Sequence, residues 1–366
     1  MKEDFLKLNR IDHLEFFSGN AKQSAFYFQK AFGFKVTGYL GLESGYKDRC
    51  SYLLEQGKIK FVLTTPLTPD SFIAEHIKKH GDGVKDIAFE VDDAEKSFIE
   101  TTSRGAIQVL KPTEIIDENG YIIKSSISIY GDTIHSFIQR KDYNGLFMPG
   151  FILPGTKAVP EIQDLGLKAI DHVVGNVELG FMNYWVDFYS KVMGFSQLIS
   201  FDDKDISTEY TSLMSKVMQN TSGKIKFPIN EPAKGKKRSR IDEYLDFYHS
   251  AGIQHIALST GNILETVGNL INNGVEFLYV PDKYYDSLED RVGKIDESIQ
   301  FLKELGILVD RDEDGYLLQI FTKPIEDRPT LFIEIIQRKG AKSFGKGNFK
   351  SLFEAIEREQ ELRGTL

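Results

Sequence analysis

The sequence predicts an α+β fold in which one pattern, a strand, a helix and then several strands, is built twice into two paired domains. Two observations carry this expectation. The first is the order of elements in the N-terminal half. From Ile11 the chain reads IDHLEFF, a strand candidate, and the segment after it spaces Phe26, Phe28, Phe32 and nearby apolar residues as an amphipathic helix ending at Gly33. FKVTGY reads as a second strand, while SYLLEQG and KIKFVLTTPL are strand-like runs joined through a Gly-containing turn that favours a hairpin.

The second observation is that the same words return, in the same order. Ile11-Asp12-His13 recurs as Ile170-Asp171-His172, YFQKAFGF at 27–34 as FYSKVMGF at 188–195, and GKIKF at 57–61 again at 223–227. KDIAFEV at 85–91 lines up with QHIALST at 254–260, and SFIQR at 136–140 with EIIQR at 334–338. Matches in one order are hard to explain by chance, and two copies favour paired domains over a solenoid. The Pro- and Gly-rich stretch LFMPGFILPGTKAVP at 146–160 marks the expected boundary, giving an N-terminal domain of residues 1–150 and a C-terminal domain of 151–366.

Length agrees, because 366 residues exceed the roughly 250–300 at which single cores stop growing. With 45 basic and 54 acidic residues the net charge is −9, which argues against nucleic acid or an anionic membrane as the main partner. No apolar run approaches the roughly 20 residues of a membrane span. The single cysteine, Cys50, excludes an internal disulfide and any CxxC motif. The opening MKEDFLKLNRIDHLEFF has no secretory pattern, so a reducing cytoplasm is the expected compartment.

Chemistry enters with Glu334. Leu331, Phe332, Ile333, Ile335 and Ile336 surround it in what reads as a strand buried on both faces. An ionised carboxylate there needs a cation or strong donors to stay charged. For a lone Glu an Arg or Lys partner is the ordinary answer, but the duplication offers another. The C-terminal copy has His172, His255 and Glu334 where the N-terminal copy has His13, Asp86 and Ser136. Two neutral imidazoles and a carboxylate form the ligand set of non-haem Fe(II) oxygenases, with three positions left for a chelating 2-oxo acid and O₂. Their spacing is no local motif; the argument rests on all three lying in strand-like words of the repeat. His13 is expected to be structural, rather than part of a second metal site with Asp86.

Other patterns carry less. His76 and His80 in HIKKH share a helix face but lack the adjacent Glu of a zinc protease, and a helix ending near Gly81 accounts for them. DRDEDG at 310–315 opens like a calcium loop, yet its twelfth position is Phe321, so an acidic turn is expected. KGKKRSR at 234–240 reads as a charged loop, and FGKGNF as a flexible turn before a terminal helix. That helix begins near Asn348, its expected N-cap, and puts Phe349, Leu352, Phe353 and Ile356 on one face. Tethered by a Gly-rich hinge just beyond a ligand strand, it is a candidate lid.

The run LLQIFTKPIEDRPTLFIEIIQRKG at 317–340, with FGKGNF at 344–349, PINEP at 228–232 and ELGILVDRDEDG at 304–315, resembles the 4-hydroxyphenylpyruvate dioxygenase family. The resemblance spans most of the chain and is densest after residue 165. It implies the vicinal oxygen chelate fold: duplicated βαβββ modules paired into two open barrels, the C-terminal one holding Fe(II). The family's metal triad falls on His172, His255 and Glu334. Ser215, Asn230, Gln254 and Gln319 match polar pocket residues, Asn230 and Gln319 among them as catalytic candidates. Phe321, Phe332, Phe344 and Phe349 match its aromatic wall, with Asn348 preceding the last. One departure is visible: relatives commonly have Gln before the Ile of the KRSxI segment, where this chain has Arg240.

The implied reaction converts 4-hydroxyphenylpyruvate and O₂ to homogentisate and CO₂, a step of tyrosine breakdown. The nearest rival, 4-hydroxymandelate synthase, uses the same substrate and metal but differs from this chain at Pro228 and Asn230. A glyoxalase-type isomerase would usually need another carboxylate ligand, and a non-catalytic binding module would have lost the triad. A homo-oligomer is expected, assembled in part by the degenerate N-terminal half.

Overall fold

The computed structural model describes residues 4–155, 163–202, 212–233 and 235–366. It contains two eight-stranded sheets. The first joins β1 (Leu8–Phe17), β2 (Lys35–Leu40), β3 (Arg49–Gln56), β4 (Ile59–Pro66), β5 (Gly83–Val91), β6 (Gln108–Asp117), β7 (Gly120–Ser128) and β8 (Ile134–Gln139) in the order 2-3-4-1-5-8-7-6. The second joins β9 (Leu167–Asn176), β10 (Ser196–Phe201), β11 (Leu213–Gln219), β12 (Lys226–Pro232), β13 (Gly252–Thr260), β14 (Leu308–Asp312), β15 (Gly315–Phe321) and β16 (Phe332–Lys339) in the corresponding order 10-11-12-9-13-16-15-14. Each sheet is itself a pair of βαβββ modules. A module's first and last strands run parallel, and two modules meet along an antiparallel seam, β1 with β5 and β9 with β13.

Local sequence explains the elements. The predicted first helix is Ala21–Phe32, started by Asn20, whose side chain accepts from Gln23 N, and stopped at Gly33 with φ +74°. The predicted hairpin turns at Gly57 between β3 and β4. In β16 the first six residues are all buried, as the apolar run around Glu334 predicted.

Register shows how literal the duplication is. Ala88 of β5 pairs with His13 on one side and Ser136 on the other; Ala257 of β13 pairs with His172 and Glu334. Directly paired residues share a sheet face, and so do residues two apart in a strand. His172, His255 and Glu334 therefore project from three adjacent strands on one side of the second sheet.

The two sheets share one continuous core. Phe89 meets Phe227 with ring centres 6.1 Å apart, and the His135 imidazole lies 2.9 Å from the Tyr189 hydroxyl. His80 stacks on Tyr248 at 4.4 Å, beside Arg328, which donates to the carbonyls of Lys79 and Phe247. Residues 156–160 of the expected boundary stretch, and Lys234 of KGKKRSR, lie outside the described residues.

Candidate metal centre

Nε2 of His172 lies 3.1 Å from Oε2 of Glu334, and Nε2 of His255 lies 3.5 Å from the same oxygen. All three side chains are largely buried. The other ring nitrogens explain why Nε2 faces inward. His172 Nδ1 is 2.8 Å from Asp171 Oδ1, and a carboxylate can only accept, so the proton sits on Nδ1. His255 Nδ1 lies 3.1 Å from Gln254 Oε1, which acts in the same way. Asp171 is held in turn by Arg338.

Two β-bulges make these pairings possible. Along the β9–β13 seam Asp171 is an extra residue between Ile170 and His172, and Gln254 is an extra one between Ile253 and His255. Neighbours in a regular strand point to opposite faces; a bulge turns the added residue toward the side its neighbour occupies.

The electrostatics suit a cation. Burial would raise the Glu334 carboxyl, but the two imidazoles outweigh it and draw it down to about 2. Burial lowers His255 to about 4, only partly offset by Glu334. Burial also opposes protonation of His172, yet the Glu334 and Asp171 carboxylates outweigh it and raise its proton affinity. Among the described residues no Lys or Arg pairs with Glu334, so the ordinary answer for a buried Glu does not apply here. Three converging N and O donors of this kind fit a divalent transition metal.

A cavity opens over the triad. Ser215, Asn230, Gln254, Phe321, Phe332, Phe344 and Phe349 line it, as do Phe201, Phe353 and Ile356. Ser215 and Asn230 are paired across β11 and β12. The Phe332 ring lies 4.6 Å from that of His255, Phe344 lies 5.0 Å from His172, and Phe349 packs at 4.9 Å against Phe201. The helix Phe349–Arg363 thus sits over the cavity with its predicted apolar face inward.

Two predicted pocket residues stand elsewhere. Gln319 is buried on β15 opposite Ile336, two residues from the Phe321–Glu334 pair and so on the same sheet face, but its amide lies against Gly345 and does not line the cavity itself. Asn348 does precede the terminal helix, but its side chain makes no capping bond. Its Oδ1 accepts from the Tyr284 hydroxyl at 2.7 Å, and it is not among the residues lining the cavity.

Three further features come from the structure. Arg240 lines the cavity. The Asp171–Arg338 support was hidden in plain view, since Asp and Arg are part of the repeated IDH and IQR words. The N-terminal half keeps it as Asp12, His13 and Arg140. There the metal position is filled differently: Lys124, the register equivalent of Gln319, brings its ammonium 3.2 Å from Asp86. Ser136 donates to the same carboxylate, so a bonded cation already occupies the degenerate site.

The less promising motifs resolve simply. His80 ends the helix Phe72–His80, with Nε2 2.7 Å from Asp132 and Nδ1 on the Tyr248 carbonyl. Asp312 accepts from the backbone of Asp314 and Gly315, making DRDEDG an acidic turn between β14 and β15.

Comparison with known proteins narrows the reading. The superfamily described as Glyoxalase/Bleomycin resistance protein/Dioxygenase matches residues 12–123 and again 169–320, one match in each sheet. A 4-hydroxyphenylpyruvate dioxygenase of Aspergillus fumigatus is 46% identical, covering 97% of this chain and 93% of that protein. One from Dictyostelium discoideum is 47% identical, covering 97% of this chain and 99% of its own length. The chain belongs to the 4-hydroxyphenylpyruvate dioxygenase family. A solved triple mutant of 4-hydroxymandelate synthase from Streptomyces coelicolor has the same fold, with a TM-score of 0.87 at 30% identity, covering 97% of this chain and all of that one. The dioxygenase family is nearer by sequence than the mandelate synthase, and both halves of the chain fall within its full-length match.

Proposed function

We propose that this protein is an Fe(II)-dependent dioxygenase that converts 4-hydroxyphenylpyruvate and O₂ to homogentisate and CO₂. The single observation that carries the metal chemistry is the convergence of His172, His255 and Glu334, with no Lys or Arg paired to the carboxylate among the described residues. The dioxygenase relatives carry the choice of substrate. Iron, when bound, supplies electrons for reduction of O₂ as the 2-oxo acid loses CO₂.

The chain's own residues would do the rest. His172, His255 and Glu334 hold the ion while leaving one side open toward the cavity. Phe321, Phe332, Phe344 and Phe349 hold the ring by packing and offer nothing easily protonated. Ser215, Asn230 and Gln254 orient polar groups without adding charge. The terminal helix keeps bulk water from the reacting groups. The protein works in the cytoplasm as a homo-oligomer, with the N-terminal half serving structure and assembly.

The test is aerobic incubation of Fe(II)-loaded protein with 4-hydroxyphenylpyruvate, following O₂ uptake and identifying the product by mass and chromatography. Homogentisate is expected. Hydroxymandelate would move the assignment to the mandelate synthase reaction, and no O₂ uptake with iron demonstrably bound would sink the oxygenase reading.

A further inference from the structure

The cavity holds one charged group that the proposed chemistry leaves unused. Arg240, first residue of the helix Arg240–Tyr248, lines it among phenylalanine and aliphatic side chains. Its guanidinium carbon lies 3.6 Å from the centre of the Phe332 ring, the ring that also contacts His255. Such stacking engages the flat face of the guanidinium and none of its N–H donors. Among the described residues Arg240 makes no hydrogen bond or ion pair.

The acid one turn along the helix does not bind it. Glu243 is buried, lies 3.0 Å from Arg363 Nη2 and accepts from the Thr365 hydroxyl, so it attracts Arg240 only at a distance. Burial lowers the Arg240 pKa to about 9, which still leaves a cation at neutral pH. A half-buried guanidinium stacked on a ring, with no protein acceptor, has donors available to an acceptor that enters the cavity. Charge balance points the same way. A divalent ion and Arg240 together exceed Glu334 by two charges, of which a monoanionic 2-oxo acid removes one.

We propose that Arg240 forms an anion subsite on the wall of this cavity, taking an oxygen substituent on the ring of the aromatic ligand and favouring its phenolate form. The proposal deepens the functional reading above and rests on it for the identity of the substrate. Arg only donates and carries charge, so the acceptor it fits best is an anionic oxygen. An unsubstituted phenyl ring would offer the guanidinium no acceptor, so this residue sets specificity for a ring oxygen.

The first arm of the test needs neither metal nor turnover. Metal-free protein is titrated with 4-nitrophenol at a pH below the probe's own pKa, and the coloured phenolate is followed by absorbance. The wild type should bind the probe and shift it toward phenolate, Arg240→Leu should lose at least about tenfold in affinity together with the colour, and Arg240→Lys should keep part of both. Equal binding and colour in the wild type and Arg240→Leu, or no binding by the wild type, would overturn the subsite. In the second arm, Fe(II)-loaded protein without O₂ is titrated calorimetrically with 4-hydroxyphenylpyruvate and with phenylpyruvate. The wild type should prefer the hydroxylated compound by about 10- to 100-fold, and Arg240→Leu should bring the ratio near unity. A ratio unchanged by Arg240→Leu would overturn the proposal. If neither 2-oxo acid binds while nitrophenolate binding still depends on Arg240, the anion subsite stands and the functional reading falls.

Discussion

Arg338 donates to both oxygens of Asp171, from Nε at 2.8 Å and from Nη2 at 2.9 Å. That fork holds Asp171 against His172 Nδ1 and so keeps the imidazole lone pair aimed at the candidate metal position. Replacing Arg338 by Gln should weaken metal binding by about 10- to 100-fold, the usual effect of losing such a support. The equivalent Arg140→Gln should lower stability without touching metal affinity. Competitive titration with a chelator separates the two, and equal loss of affinity in both variants would refute the assignment.

Glu334→Ala should remove metal and turnover together while leaving the fold. His255→Ala should do likewise. Metal content per chain, measured beside circular dichroism, checks both variants. Near-normal oxygen-dependent activity in either one would defeat the ligand assignment.

Metal binding should compete with a proton on His172. His255 is lowered to about 4, whereas the carboxylates around His172 raise its proton affinity, so His172 is the ligand at which a proton competes with the metal as pH falls. Affinity should therefore fall as pH falls. Competitive chelator titrations across a pH series measure this, and an affinity that does not fall toward acid pH would contradict the account.

Lys124→Met should be strongly destabilising, although it lies outside the candidate site. Asp86 is fully buried, and removing the ammonium 3.2 Å away would leave an unpaired interior charge. The expected loss is about 3–5 kcal/mol. Adding Asp86→Asn to the same chain should recover much of it. Denaturant unfolding of the single and double variants makes the comparison.

Phe349→Ala should loosen the lid more than the metal. The variant loses the 4.9 Å packing on Phe201 and one wall of the cavity. KM for the 2-oxo acid should rise severalfold with metal content unchanged; lost metal would mean that the ring supports the ligands instead.

Much of this architecture was legible because duplication leaves words behind. The IDH, GKIKF and IQR repeats marked equivalent strands, and the placement of His172, His255 and Glu334 within them was enough to suggest a shared face. What those words could not express was where the pleat breaks. The bulges at Asp171 and Gln254 depend on how β9 and β13 pair, and strand alternation alone would have turned both side chains away from the histidines beside them. Gln319 and Asn348 entered as pocket residues through the family resemblance alone. Gln319 shares the sheet face of Phe321, two residues on, yet its amide lies against Gly345, and the Asn348 side chain is held by Tyr284, so neither lines the cavity itself.

By itself, then, the sequence determined the repeated modules, the buried strand around Glu334 and the residue types able to hold a metal, because periodicity and composition are local properties of the chain. Only the tertiary structure decided which cation faces which acid. Lys124 neutralises Asp86 in one half, while Glu334 is left to two imidazoles in the other and Arg240 stands on the cavity wall without a bonded partner among the described residues. Those pairings join residues far apart in the chain. They are set by strand register and by competition for each buried carboxylate, neither of which has a signature in a single stretch of sequence.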